Sequence, residues 1–373
     1  MDSPELIVLS GTVIACRLFD IADGIDLAKA ETLWRARPSA IVTRGRLVSA
    51  QPKAVAFGVA PLDIPLEPVS LQLDGATVWA AATARLYDFG VTRLALHVTA
   101  DTLSWTEFAR RLNAVDHAVG PAAQAGVWNT MLDQVRGTCG GALLRPARAM
   151  LEEDYLMGMV RAFNETPGAE ALQQRIDLVP LLSGEERPLS DGARRDLLRK
   201  RFSYYEDDLV VLTWDRAFIY EPRGDSDVMD VLDVANAQLL EMRYYDQLLD
   251  AELPLMYNAV QAMQRTRPLL SARRFAHLAR RLYTLVAEVS ELREKVDNAL
   301  QVTEDVYLAR VYTAALDLFR VEAVNAAVDR KLAIIRETYS ALYEEASSGR
   351  AALMEATIVG LIVVEIVLAL LRH

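Results

Sequence analysis

The sequence predicts an α+β fold: an N-terminal mixed α/β domain, a long-helix, coiled-coil-like stalk and a C-terminal hydrophobic helix. Three observations predict it. Up to about residue 224, short β-branched and aromatic runs alternate with Gly, Pro and Asp-Gly punctuation, which is how strands joined by turns are written. Beyond residue 225 apolar residues recur at alternating three- and four-residue spacing, the mark of helices packed along a seam. From Ala351 to Leu371 the chain is almost wholly aliphatic. The expected domains are 1–224, 225–350 and 351–373.

Leu6–Phe19 is apolar and β-branched with Gly11 inside it, so it reads as a long or bulged strand. Asp26–Arg37 reads as a short helix ended by Pro38. Short strands are expected at Ile41–Ser49, Ala54–Gly58 and Val69–Leu73, and Asp74-Gly75 turns the last of these into Thr77–Tyr87. Asp88-Phe89-Gly90 turns the chain again into Val91–Thr99. Ser104 and Glu107 have the spacing of a capping box for a helix to Ala118. Pro121 suits the first position of a second helix, to about Arg136. Glu153–Phe163 is a strand, Leu197–Arg201 closes a short helix, and Tyr204–Thr213 with Ala217–Tyr220 forms a last strand pair. Pro222-Arg223-Gly224 marks the domain boundary.

Asp225-Ser226-Asp227 caps a helix over 228–264, with Pro254 expected to kink it. A helix from Ser271 carries the seam Phe275, Leu278, Leu282, Leu285, Val289, Leu292, with a break near Thr303-Glu304-Asp305. After a turn at Arg320-Val321 the last helix runs from Glu322 to Leu371, about 75 Å at ~1.5 Å per residue. Its seam, from Leu332, Ile335, Tyr339 and Leu342, continues without change of phase into the tail.

The tail is expected to be a membrane helix. Its aliphatic residues from Ala356 to Leu371 each favour insertion by about 0.3 to 0.6 kcal/mol, roughly 3 to 7 kcal/mol together. An ionised carboxylate near the middle, Glu365, costs about 2.5 to 3.5 kcal/mol if it behaves like aspartate, so insertion wins by a small margin. Leu353, Ala356, Gly360, Val363, Glu365 and Val367 are the residues expected to carry assembly within the bilayer. Arg265, Arg267, Arg273, Arg274, Arg280 and Arg281 cluster around a helix–helix turn and are expected to contact anionic headgroups. A straight hairpin about residue 320 would lay residue n beside 640 − n and put the last four arginines along the tail. The break near Thr303 is the expected escape from that conflict. The competing reading is a soluble oligomer whose tail is a bundle core.

The tail resembles a known family. Glu355-Ala-Thr-Ile-Val-Gly-Leu-Ile-Val-Val-Glu365-Ile-Val-Leu-Ala-Leu is similar to the C-terminal signature of the family typified by the required-for-meiotic-nuclear-division (sporulation) proteins. Asp329-Arg330-Lys331-Leu332-Ala-Ile-Ile-Arg336 looks like the basic-apolar helix before it, and Tyr87-Asp-Phe89-Gly90-Val91 like an N-terminal strand motif. Residues 139–220 depart from that pattern. The resemblance implies an oligomeric, membrane-attached protein without catalytic activity.

The residues themselves exclude some functions. The net charge of −11 argues against a dedicated nucleic-acid binder, which displaces counterions from phosphate with positive charge. Two distant cysteines, Cys16 and Cys139, make no disulfide framework, and the four histidines lack ligand spacing. The acidic start and the interrupted apolar stretch after it do not read as a secretory signal, so a cytoplasmic N-terminal domain is expected. Gly137-Thr-Cys-Gly140-Gly141 lacks the lysine of a phosphate loop and reads as a helix end. Glu206-Asp207-Asp208 reads as a turn, and Asp225, Asp227, Asp230 and Asp233 as helix capping and dipole complementation. Cys16 with His97 or His117 forms no nucleophile motif and reads as a buried thiol. The expectation is a non-catalytic scaffold or tether without metal or cofactor, partnered by itself, by membrane lipid and by a further protein. An enzyme or ligand-binding module using a pocket in residues 1–224 is the alternative from another class.

Overall fold

The computed structural model describes residues 5–37, 43–44, 56–57, 59–123, 126–147, 151–185, 187–224, 227–264, 276–287, 289–290, 300–301 and 306–371. Side chains are described for these residues except 44, 56–57, 262–264, 300–301, 345–356, 363 and 365–371. The chain opens with β1 (Ile7–Asp20), β2 (Ala22–Ile25) and α1 (Leu27–Arg35). Then come β3 (Thr43–Arg44), β4 (Ala56–Phe57), β5 (Leu62–Leu73), β6 (Ala76–Leu86), β7 (Val91–Thr99) and β8 (Leu103–Ser104). Helices α2 (Trp105–Val119) and α3 (Val127–Cys139) lead to β9 (Leu143–Pro146) and β10 (Glu152–Phe163). Short helices α4 (Ala169–Arg175), α5 (Val179–Ser183) and α6 (Asp191–Leu197) precede β11 (Lys200–Phe202), β12 (Leu209–Leu212) and β13 (Arg216–Tyr220). The rest is α7 (Val228–Gln264), α8 (276–287), β14 (Leu300–Gln301), α9 (Val306–Leu318) and α10 (Val321–Leu371). The α+β class read from the sequence is the observed one.

Contacts divide the chain into two compact units, Met1–Glu241 with Lys295–Glu322, and Met242–Glu294 with Ala323–His373. The first unit therefore extends past residue 224 and takes in the start of α7 and all of α9. It is built on one sheet of order β11-β12-β13-β10-β1-β7-β6-β5-β3, with β8 also pairing β1. All pairings in it are antiparallel except β10 with β13, which the crossover through α4 to α6 makes parallel. Strand β1 lies near the middle, between β10 and β7. Its stretch Val13–Asp20 is buried at every position, so both faces of the sheet are covered here. Helix α2 packs on the face of Val13, Ala15 and Phe19, with Phe108 and Leu112 in the core.

Local chemistry explains the elements. Asp26 caps α1 by accepting from the Lys29 N–H, and Ser104 and Glu107 form the full capping box of α2. Asp74 and Gly75 both have positive φ, 50° and 80°, as the tight turn from β5 to β6 needs. Gly90 has φ 108°, and its carbonyl accepts from the Ile21 N–H at 3.2 Å. A Cβ there would overlap the Ala22 carbonyl oxygen, so only glycine lets the β6–β7 turn close against the start of β2.

Several expectations are corrected. β5 runs from Leu62 to Leu73, through Pro65 and Pro68, where a strand was expected only over Val69–Leu73. The strand tolerates them because, among the described residues, β3 covers only Asp63 and Leu62 on its other side, and the register with β6 slips between Leu66 and Val69. Pro121 starts a 3-10 turn over Pro121–Ala123, not α3, which begins at Val127. Lys200 and Arg201 belong to a strand; the helix before them ends at Leu197. Tyr204 and Tyr205 form a turn whose N–H groups both donate to Asp208, so β12 starts only at Leu209.

In the second unit Leu282 and Val289 of one expected seam and Leu332, Ile335 and Leu342 of the other are buried within the one chain, Leu278, Leu285 and Tyr339 are half-buried, and Phe275 and Leu292 lie outside the described residues. Tyr283 packs beside Tyr339, with ring centres 5.8 Å apart. The straight hairpin would have put position 283 beside 357, so its register is not followed. Strand β14 interrupts the chain between α8 and α9 and breaks the count. The expected turn before the last helix is present, with Arg320 at φ 56°.

Gly90→Ala combines backbone strain with overlap onto a carbonyl, whereas Gly75→Ala meets open space. Urea unfolding should show a loss of about 1 to 2 kcal/mol for Gly75→Ala and a clearly larger loss for Gly90→Ala.

Candidate functional site

Two places concentrate chemistry: the apolar end of α10 and a charge cluster under α7. Helix α10 runs for 51 residues. Near its end Ile358, Val359, Leu361, Ile362 and Val364 are each about half exposed or more, from 49% to 64%. At ~100° per residue these five span about 220° of the helix, more than twice the ~100° stripe a surface helix hides against a core. Gly360 occupies the remaining arc and has nothing within 4 Å of its Cβ position. The described part of the tail is thus apolar on most of its circumference and uncovered. Among the described residues no helix is long and apolar enough to cross a membrane.

Of the residues expected to carry assembly, Gly360 is exposed. Leu353, Ala356, Val363, Glu365 and Val367 belong to the helix, but their side chains lie outside the described residues. Of the arginines expected at headgroups, Arg265, Arg267, Arg273 and Arg274 also lie outside the described residues. Arg280 is exposed. Arg281 is bound to Glu252 through Nη2 at 2.7 Å, so it answers a carboxylate of α7.

The charge cluster was missed by the sequence reading. β6 and β7 set Arg85 directly opposite Arg93 on the sheet face away from α2. α7 places Asp230 and Asp233 three residues apart, on one side of the helix. Arg93 grips Asp233 Oδ2 with Nε at 2.8 Å and Nη2 at 2.7 Å, both side chains being about 4% exposed or less. Arg85 binds Asp63 Oδ1 at 2.6 Å and also contacts Asp230. Burial pushes the Asp233 carboxyl up, and the two arginines pull it back. Burial opposes the Arg93 charge too, but the Asp233 carboxylate more than offsets this. The signal was present: two arginines in register on adjacent strands, which the sequence reading passed over, and two aspartates at helical spacing, which it took for capping and dipole complementation.

Cys16 lies under this cluster, and burial pushes its thiol up to about 12, so it stays protonated and is no nucleophile at neutral pH. His97 is two positions away on β7 from the residue facing Cys16. Burial and Arg93 push it down to about 4, and it shares a hydrogen bond with Thr83 Oγ1 at 3.2 Å. Among the described residues no three His, Cys, Asp or Glu side chains gather as a metal site. Gly140–Ala142 form a 3-10 turn after α3, as a helix end. Asp20, 3% exposed at the end of β1, is pushed up to about 7 by burial and by Asp23.

Residues 10–227 match the model of a family described as uncharacterized protein MJ0711, N-terminal domain. Uncharacterized protein MJ0711 of Methanocaldococcus jannaschii is 25% identical over 222 residues, which are 59% of this chain and 66% of that relative. The match thus spans just under two thirds of the relative's length. No solved structure matches.

Asp233→Ala should destabilise the protein by about 3 to 5 kcal/mol in urea unfolding, because Arg93 is left buried without a partner. Asp20 yields a pH dependence. An unfolded aspartate ionises near ~3.9, the folded one near about 7. Between these the native state holds a proton the unfolded chain has lost, so this group's contribution to stability falls as pH rises through the window. Asp20→Asn cannot ionise. Its urea midpoint relative to wild type should therefore climb between about pH 4 and about pH 7 and level off above.

Proposed function

This chain belongs to the family described by the N-terminal domain of uncharacterized protein MJ0711, and within that family we propose that it is a non-catalytic scaffold, tethered to a membrane by its last helix. The observation that carries this reading is the uncovered apolar arc of Ile358, Val359, Leu361, Ile362 and Val364. A helix apolar around most of its girth gains stability only where water is excluded on most sides. The neighbouring sequence, Ala351 to Leu371, extends the apolar stretch to about one hydrocarbon thickness. The resemblance of the tail to the sporulation-protein family supports the same reading; it rests on residues outside the matched 10–227. Burial of the stalk seams within the one chain favours placing self-assembly at the tail instead of the stalk. The protonated Cys16, the neutral His97 and the sealed charge cluster favour a structural interior over a reaction centre.

Lipid and protein cover a helix differently. Lipid touches every face; a bundle core touches one. Ile362→Lys and Val364→Lys alter faces about 160° apart on the helix. In lipid each lysine costs about 2.5 to 3.5 kcal/mol. The full chain should stay with carbonate-washed membranes, and each single variant should move largely to the supernatant. A soluble wild-type oligomer that only one of the two variants dissociates would instead make the tail a protein core.

A further inference from the structure

The sheet of the first unit ends in a positively charged groove. β11 stands at the end of the strand order and, among the described residues, pairs only with β12. Opposite it runs α9. Between them lies a cavity of about 820 Å³, whose walls include Arg199, Lys200, Arg201, Phe202, Arg310 and Asp317. That volume falls in the range of small-ligand sites, roughly 300–1,000 Å³.

The charges in it are unequally satisfied. Lys200 Nζ is bound to Asp317 Oδ2 at 2.6 Å. Arg201 Nη1 donates to the neutral amide oxygen of Gln173 at 2.7 Å. The Arg310 guanidinium lies 5.9 Å from the centre of the Phe202 ring. Arg199 donates its backbone N–H to the Asp196 carbonyl. Among the described residues none of these three guanidiniums is ion-paired. The chain has 51 acidic and 40 basic residues, yet four cations, Arg199, Lys200, Arg201 and Arg310, face only two carboxylates in this cavity, Asp317, which Lys200 binds, and Glu322.

Basic residues on an edge strand also deter sheet-to-sheet pairing. That role accounts for Lys200 and Arg201 but not for Arg310, which comes from α9. A guanidinium fork fits phosphate or carboxylate. A carboxylate occupies one fork. A phosphate offers three acceptor oxygens and up to two charges, so one group can be shared between opposite walls. Val306, Ala309 and Ala314 add an apolar floor for the uncharged part of a ligand.

We propose that the β11–α9 groove binds a ligand bearing two or more phosphate groups, held by Arg199, Arg201 and Arg310. The phosphates come either from a free phosphorylated molecule or from a phosphorylated lipid headgroup. This does not depend on the tail being in lipid.

Calorimetric titration of the full chain with inorganic tripolyphosphate, and cosedimentation with phosphatidylcholine vesicles with and without a phosphoinositide bisphosphate, test it. The wild type should bind at least one probe, and the affinity should fall as salt is raised. Arg199→Gln/Arg310→Gln should weaken that binding roughly tenfold or more. The exposed Arg110→Gln should bind as wild type. Thermal melts of the double variant should match wild type, since both positions are exposed. Loss of tripolyphosphate binding identifies a free ligand; loss of vesicle binding alone identifies a headgroup. Wild type that binds neither probe, or a double variant that binds like wild type, overturns the proposal.

Discussion

The pairing of Arg93 with Asp233 is the constraint on which the first unit depends. Both side chains are buried, and each is tolerable there only because of the other. The pair fixes α7 to the sheet face that α2 leaves bare. With α7 in place, β1 is covered on both sides and Cys16 and Tyr87 are sealed in. A purely apolar contact could have supplied as much burial. It would not have fixed the helix register, because only one setting brings Asp230 to Arg85 and Asp233 to Arg93 together.

The two ends of the same sheet are finished differently. At the other end β3, among the described residues, pairs with β5 only at Leu62 and Asp63, and Pro65 and Pro68 follow on β5. At the β11 end the strand is three residues long and strongly basic. The first device only protects an edge. The second, with Arg310 facing it from α9, also makes a cavity with a charge preference.

Much of the fold was legible from residue order. The extent of β7, the capping box of α2, the Asp74-Gly75 hairpin and the bounds of α7 all follow from local signals. So do the buried stalk seams, since a 3,4 alternation states which face turns inward. The misses share a cause. β5 through Pro65 depends on which neighbour it has, and a proline's missing N–H matters only where a partner strand would receive it. The Tyr204–Asp208 turn depends on one side chain reaching two backbone groups. The candidate sites divide likewise. The apolar tail is plain in the sequence. The arginine groove is not, because its two walls, around residues 200 and 310, are far apart in the chain.

The sequence by itself determined the class of fold, the periodicity of each long helix and the apolar character of the tail. These are properties of neighbours along the chain, where hydrogen-bond geometry and side-chain spacing act over a few residues. Tertiary structure alone decided which charges meet. Asp233 reads as a helix-cap residue until α7 lies on β7, and Arg281 as a surface cation until Glu252 stands beside it. Ion pairs and cavities are set by distances through space, and those distances exist only once the sheet and its covering helices are assembled.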